Sequence, residues 1–136
     1  MAHSYGSSIG LESAKQAAAA ALGEARRNSW TMVVAVVDIA GELVYFEKMD
    51  DAQNGSVRVA VAKARSAALF KRPTKAFQEA LAGGGDGLRV LGLEGAVPVE
   101  GGLPLTIDDR IVGAIGLSGG TSEQDGVCAK AGVAAI

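Results

Sequence analysis

The stretch 101–125 constrains the fold of this chain most, because two strand-like runs lead directly into a helix start. The runs 103–107 and 111–117 are rich in β-branched and apolar residues, which are typical of strands. Asp108 and Asp109 lie between the runs and suit a two-residue turn, since aspartate tolerates the positive φ that tight hairpin turns need. The sequence therefore predicts a β-hairpin here, and its uniformly apolar strands predict that it is central in the sheet.

The residues after this hairpin predict a helix N-terminus. Gly119 and Gly120 free the backbone, and Thr121 followed by Gln124 has the spacing of a capping box. Exposed backbone N–H groups at such a helix start can hold an anion, although ordinary helix capping explains the same residues. Both interpretations stay open from the sequence.

The rest of the chain predicts three more helices and a second hairpin. Apolar periodicity predicts helices over 10–28, 56–70, 74–81 and 121–135, and β-branched or alternating runs predict strands over 31–37 and 43–49. One further short strand is expected near 97–99, after the glycine-rich loop 83–87. Paired strands separated by helices predict an α+β fold, in which helices flank an antiparallel sheet of about five strands.

The helical pattern also predicts which side chains are buried. On the last helix, Val127, Ala131 and Ala134 are expected on the apolar side, with Cys128 beside them. Lys63 is expected around, and not within, the apolar face of the helix over 56–70.

Length and composition exclude several classes of protein. The 136 residues fit a single domain over 1–136, and a net charge of −2 without a basic cluster argues against nucleic-acid binding. A lone cysteine can form neither an internal disulfide nor a zinc site, so no metal site is predicted. No apolar run approaches the length of a membrane span and no secretory signal is visible, which predicts a cytoplasmic protein. The 19 glycines and 4% aromatic residues predict a core of closely packed small side chains, and such surfaces suit a homo-oligomer.

Polar residues at the predicted ends of helices and strands form the candidate site. The candidate ligand-binding residues are Asp38, Arg72, Thr74, Ser118, Gly119 and Thr121, and the candidate catalytic residues are Asp50, Glu123 and Asp125. Capping or turn formation explains each of them singly, but together they predict a pocket for a small molecule at the rim of the sheet. Arg72 is the natural anchor for a ligand carboxylate, because its guanidinium binds carboxylates through two hydrogen bonds. His3 is the only histidine and is expected to be a bystander in a frayed N-terminus.

Six short motifs, taken in order, resemble the GlcG/HbpS family, also called the haem-degrading or PduO C-terminal-like domain. The motifs are VVDIAGEL at 36–43, MDDA at 49–52, KARSA at 63–67, FKRPT at 70–74, GGLP at 101–104 and GAIGLSG at 113–119. The resemblance extends over about 11–136. It implies a profilin-like fold, assembly into dimers that build rings or octamers, and the binding or sensing of haem or a related tetrapyrrole.

The resemblance leaves the function divided between two classes. Haem-binding members can use a histidine or a threonine as iron ligand. The only histidine of this chain, His3, lies outside the matched region, and no threonine aligns with a ligand position. The chain also lacks the acidic Asp/Glu-x-x-Glu iron motif of some members. Other members accompany pathways that break down glycolate, diols or aromatic compounds. The alternative function is therefore a cofactor-independent lyase or isomerase acting on an organic acid, with Arg72 as the anion anchor beside a titratable group.

Overall fold

A computed structural model of the protein describes residues 3–136, which form four α-helices and one four-stranded sheet in this range. The chain runs through α1 (Leu11–Arg27), β1 (Val33–Val37), β2 (Leu43–Lys48), α2 (Ser56–Phe70), α3 (Thr74–Ala82), a 3₁₀ segment (Gly85–Gly92), β3 (Gly102–Ile107), β4 (Arg110–Ser118) and α4 (Ser122–Ala134). The strand order is β2-β1-β4-β3, and every neighbouring pair is antiparallel. The α+β prediction is confirmed, with four strands where about five were expected.

Strand β1 is buried on both faces, as its unbroken β-branched run predicts. Val34 and Val36 belong to the core that α1 and α4 cover. Val33, Ala35 and Val37 point to the opposite face and pack with the alanines of α2. Helices therefore lie on both faces of the sheet, and β1 and β4 form its centre.

The predicted strand near 97–99 is wrong, and the hydrogen bonds of this segment explain why. The backbone N–H of Val97 donates to Ser66 Oγ at 3.1 Å, and the N–H of Glu100 donates to Gln78 Oε1 at 2.8 Å. Pro98 has no N–H to donate. Side chains of α2 and α3 thus satisfy the donors that a strand would use in a ladder, and the segment crosses the surface as an irregular loop.

The hairpin of β3 and β4 forms at the predicted turn, where Asp108 and Asp109 have φ values of 52° and 61°. Its predicted central position is only half right, because β4 is central while β3 is an edge strand. Pro104 marks this edge, since proline cannot donate to a ladder and within sheets is confined to such positions. The N–H of Gly102, two residues earlier in β3, points away from β4 and donates to Thr74 Oγ1 at 2.9 Å.

Helix α4 begins with the predicted capping box but buries a different face. Thr121 and Gln124 exchange side-chain and backbone hydrogen bonds. The buried residues are Asp125, Gly126, Cys128, Ala129 and Gly132, whereas Val127 is 39% exposed. A Cβ on Gly132 would lie 2.6 Å from Ile115 Cδ1, so glycine allows α4 to approach the sheet closely. The expectation that Val127, Ala131 and Ala134 face the core fails because close backbone packing decided the buried face, and not hydrophobicity.

The segment before α1 is attached to the sheet. The N–H of Ile111 donates to the Ser4 carbonyl at 2.9 Å, the N–H of Gly6 donates to Ile111 at 2.8 Å, and the N–H of Ile9 donates to Val112 at 2.8 Å. The hydroxyl of Tyr5 donates to the carbonyl of Ala68 on α2. These bonds hold residues 4–9 against the sheet, so the segment directly after His3 is not frayed as expected. Within residues 3–136, no helix has both the length and the apolar character that a membrane crossing requires.

Candidate functional site

The first feature of the site is a buried ion pair between α2 and α4. Lys63 Nζ donates to Asp125 Oδ2 at 2.8 Å and to the Leu117 carbonyl at 3.0 Å. The side chains of Lys63 and Asp125 are 1% and 4% exposed. The pair joins α2, the end of β4 and the first turn of α4. The expectation that Lys63 lies outside the apolar face is wrong, although its position three residues after Ala60 on a buried stripe was a usable signal.

Both carboxylate oxygens of Asp125 accept hydrogen bonds within the structure. Burial raises the pKa of its carboxyl above the usual aspartate range, while the hydrogen bonds and charge of Lys63 and the N–H of Gly120 act in the opposite direction. Its second oxygen, Oδ1, accepts the N–H of Gly120 at 3.0 Å. Gly101 lies against the pair, since a Cβ there would be 2.7 Å from Lys63 Nζ and 2.9 Å from Asp125 Cβ. Asp125, a candidate catalytic residue, is therefore engaged through both oxygens and shielded by Gly101.

Four other candidate residues meet at the same end of the sheet. Ser118 ends β4, and its hydroxyl donates to Ser56 Oγ at 3.0 Å. Gly119, with a φ of 146°, packs closely against the backbone of Thr31. Thr121 caps α4. Thr74 lies at the same end of the sheet, beside the start of β3. The structure thus brings together Thr74, Ser118, Gly119, Thr121 and Asp125, and each makes contacts that hold the fold.

Asp38 lies apart from that group, whereas Asp50 follows β2 at the same end of the sheet, on the opposite edge from β3. Asp38 follows β1 at the opposite end of the sheet, because β1 and β4 are antiparallel. Its Oδ1 accepts the N–H groups of Ala40 and Glu42, both at 2.9 Å, and so holds the β1–β2 turn. Asp50 is exposed beyond β2 and lines a groove that also contains Arg26.

The guanidinium of Arg72 lies at the protein surface, where it contacts residues of the same chain. Its Nε donates to the Phe70 carbonyl at 2.9 Å, and its guanidinium carbon lies 5.5 Å from the centre of the Phe77 ring. The side chain belongs to an exposed residue. Arg72 therefore has structural partners in this chain, and a ligand carboxylate would have to compete with them.

A cleft between α3 and α4 contains Glu123, the third candidate catalytic residue. Its open part has a volume of about 490 Å³ and continues into a smaller cavity of about 120 Å³ at the start of β3. The open part is lined by Lys75, Gln78, Glu100, Ser122, Glu123, Val127 and Lys130. Sequence reasoning missed Lys75 and Lys130, because lysines are ordinary surface residues in a helical pattern.

A second groove lies beside the start of the chain. It has a volume of about 260 Å³ and is lined by His3, Lys71, Pro73, Leu103, Pro104, Thr106, Ile111 and Val133. Most of these side chains are apolar, and His3 contributes the only imidazole of the sequence. Imidazole is a common ligand of iron in proteins, so the expectation that His3 is a bystander requires an experimental test.

Comparison with known proteins identifies the family of the chain. The family model of the haem-degrading HbpS-like proteins matches residues 9–134. The chain belongs to this HbpS-like family. It is 36% identical over 95 residues to protein GlcG of Escherichia coli strain K12, which covers 70% of this chain and 69% of GlcG.

Two solved structures show the same fold. The Klebsiella pneumoniae protein ORFY is 32% identical, with a TM-score of 0.87 over 96% of this chain and 91% of its own. The PduOC:haem complex is 30% identical, with a TM-score of 0.84 over 95% of each chain. The resemblance inferred from the six motifs is confirmed.

The residues of the His3 groove fit a haem group in their chemistry. Imidazole nitrogen binds haem iron, apolar side chains suit the faces of the macrocycle, and the Lys71 ammonium suits a propionate. Lys71 Nζ lies 4.6 Å above the centre of the Tyr5 ring, which holds the ammonium near the groove. Among residues 3–136 no three His, Cys, Asp or Glu side chains gather into a metal-binding cluster, but haem requires only one or two protein ligands.

Proposed function

We propose that this protein binds haem or a related tetrapyrrole in the His3 groove. The observation that carries the proposal is the apolar groove with a single imidazole at its side. Membership of the HbpS-like family and the likeness to the PduOC:haem complex support it.

Each part of the groove has a role in this proposal. Leu103, Pro104 and Val133 remove apolar surface of the macrocycle from water, which contributes about 25 cal/mol per Å² buried. His3 would hold the iron through a ring nitrogen. Lys71 pairs with a propionate carboxylate. When bound, the haem would supply an iron centre that can bind a further small ligand or change its oxidation state.

The size of the groove leads us to propose assembly as well. About 260 Å³ lies below the range of 300–1,000 Å³ that is typical of ligand pockets. One chain would therefore cover part of a macrocycle, and a second copy would cover more. We propose a homo-oligomer built from dimers, up to an octamer, as the binding form.

The alternative, a lyase or isomerase for an organic acid, depends on Arg72 as anion anchor. In the structure Arg72 is engaged with Phe70 and Phe77, and Asp125 is buried with Lys63. The pair of Arg72 and Asp125 therefore does not form an anion anchor beside a free carboxylate. We therefore favour the binding function.

Titration of the protein with haemin tests the proposal. We expect a Soret band that shifts and saturates at one haemin per chain or per dimer. His3→Ala should change the Soret position and weaken binding about tenfold or more, because the iron loses its imidazole ligand. Val133→Gln should weaken binding by placing an amide in the apolar groove, whereas Val127→Gln, on the same helix but outside the groove, should bind as the wild type does.

Two results would contradict the proposal. One is a titration without a saturable Soret shift. The other is wild-type affinity and an unchanged Soret band in both His3→Ala and Val133→Gln. Light scattering on the same samples checks the assembly, since a mass of 13.7 kDa for the haemin-bound protein would exclude the proposed oligomer.

A further inference from the structure

We infer that the cleft between α3 and α4 is a second binding site, specific for a short monocarboxylic acid with an apolar tail. The inference concerns a separate cavity, which shares Pro73 and Leu103 with the lining of the His3 groove, and it does not depend on haem binding. Three observations carry it: the apolar floor of the cleft, the two lysines beside that floor, and the balance of positive and negative side chains in the cleft.

The floor of the cleft is a small apolar cavity. It measures about 120 Å³, and its apolar lining is Pro73, Gly101, Gly102, Leu103 and Gly126, while Lys75, Glu100 and Lys130 line it as well. An engineered apolar cavity of about 150 Å³ binds benzene, so this volume suits an apolar group of about five carbon atoms. Polar ligands would gain little here, because few hydrogen-bond partners face the cavity.

Two lysines stand at the junction of the floor and the open part, since Lys75 and Lys130 line both. Lys130 forms no ion pair with any residue that the structure describes. The ion pair of Lys75 with Glu79 spans 3.8 Å between side chains that are 51% and 68% exposed, so it is weak. Both ammonium groups are available to a carboxylate whose tail lies on the floor.

Two glutamates balance the charge of the lysines. Glu100 and Glu123 line the open part, Glu100 lines the floor as well, and neither forms an ion pair within residues 3–136. The backbone N–H of Glu100 donates to Gln78 Oε1, and the Glu100 side chain packs against Gly126. With two positive and two negative side chains, the cleft favours a single negative charge and disfavours a dicarboxylate. The apolar floor, the two lysines and the balanced charge together select a ligand with an apolar tail and a single carboxylate.

Titration with isovalerate, followed by the amide resonances of Gly101, Gly102 and Gly126, tests this inference. Isovalerate carries a four-carbon tail and one carboxylate. We expect it to bind more tightly than acetate, which lacks the tail, than isovaleramide, which lacks the charge, and than glutarate, which has two charges. Lys130→Gln and Lys75→Gln should each weaken isovalerate about five- to tenfold, because each removes one charge-assisted contact. Lys15→Gln, an exposed lysine on α1, should leave the affinity unchanged.

Three outcomes would overturn the inference. The first is equal affinity for isovalerate and acetate. The second is unchanged affinity in both Lys130→Gln and Lys75→Gln. The third is a titration in which none of the three glycine resonances shifts. The titration uses haem-free protein, and His3→Ala should bind isovalerate as the wild type does. Failure of haem binding and failure of this site are thereby distinguished.

Discussion

Replacing Lys63 by Met should destabilise the protein strongly at neutral pH. Methionine matches the four-atom apolar stem of lysine, so most of the packing is kept while the ammonium is lost. The Asp125 carboxylate, 4% exposed, then retains only the N–H of Gly120, and the Leu117 carbonyl loses its lysine donor. Removing one partner of a buried pair typically costs about 3–5 kcal/mol, and we expect about 3 kcal/mol here.

This free energy corresponds to a large shift in melting temperature. An unfolding entropy of about 2.1 cal/mol/K per residue, over 136 residues, gives a shift of about 10 °C. Urea unfolding and thermal melts at one fixed protein concentration measure both quantities, since oligomers unfold in a concentration-dependent way.

The cost should depend on pH in a defined direction. Burial already raises the pKa of Asp125, and loss of Lys63 removes contributions that lower it, so the pKa of this carboxyl rises further in the variant. A group whose folded pKa exceeds its unfolded value, about 3.9 for aspartate, contributes stability that is full below that value and is lost as pH rises through the folded pKa. Lys63→Met should therefore cost less near about pH 4 than near about pH 7.

The double variant Lys63→Met with Asp125→Asn is the matched control. It removes the titrating carboxyl and leaves two neutral partners, so it should recover at least half of the lost stability at neutral pH. It should also lack the pH dependence specific to Asp125. A cost below about 1 kcal/mol for Lys63→Met, the same cost at both pH values, or no recovery in the double variant would refute the reasoning.

Three other predictions follow from single residues. Burial raises the pKa of the Cys128 thiol to about 11, so a thiol reagent at about pH 8 should react with it only after denaturation; rapid reaction of the folded protein would contradict this. Gly116→Ala should cost about 3 kcal/mol or more in urea unfolding, because its Cβ would collide with the Ala60 carbonyl on α2, whereas Gly92→Ala, with open space around it, should be close to neutral. Asp109→Gly should raise the urea midpoint, by about 0.5–1 kcal/mol in stability, because glycine relieves a φ of 61°; an unchanged midpoint would show that aspartate compensates the strain.

The sequence predicted those parts of the fold that local chemistry decides. The turn at Asp108 and Asp109, the Thr121 capping box and the bounds of α2 are all local features, and all are confirmed. Lys63 was misassigned because a single charge within a helical pattern usually lies on the surface, and only its partner on α4 makes burial possible. The edge position of β3 was available from Pro104, which the apolar pattern outweighed.

The candidate site was predicted in part, because local sequence determines the positions of only some of its residues. The end of β4 gathers Ser118, Gly119 and Thr121, as a strand that runs into a helix requires. Asp38 could have been excluded, since antiparallel neighbours such as β1 and β4 end on opposite sides of the sheet. The Lys75–Lys130 cleft and the His3 groove depend on tertiary packing, which no local pattern encodes. The single-domain organisation, the homo-oligomer and the cytoplasmic location stay predictions.

The outer side of β3 also bears on how this protein avoids aggregation. An unpaired strand edge offers a row of backbone donors to which a foreign strand can add. Here the first outward donor, the N–H of Gly102, is already bound to Thr74, and Pro104, the next outward position, has none. A shift of pairing at Leu105 and Thr106 then distorts the rest of the row. Partially unfolded chains that lose α3 would release Gly102 from Thr74, so loosening of α3 is the step that would open this edge to amyloid-like strand addition.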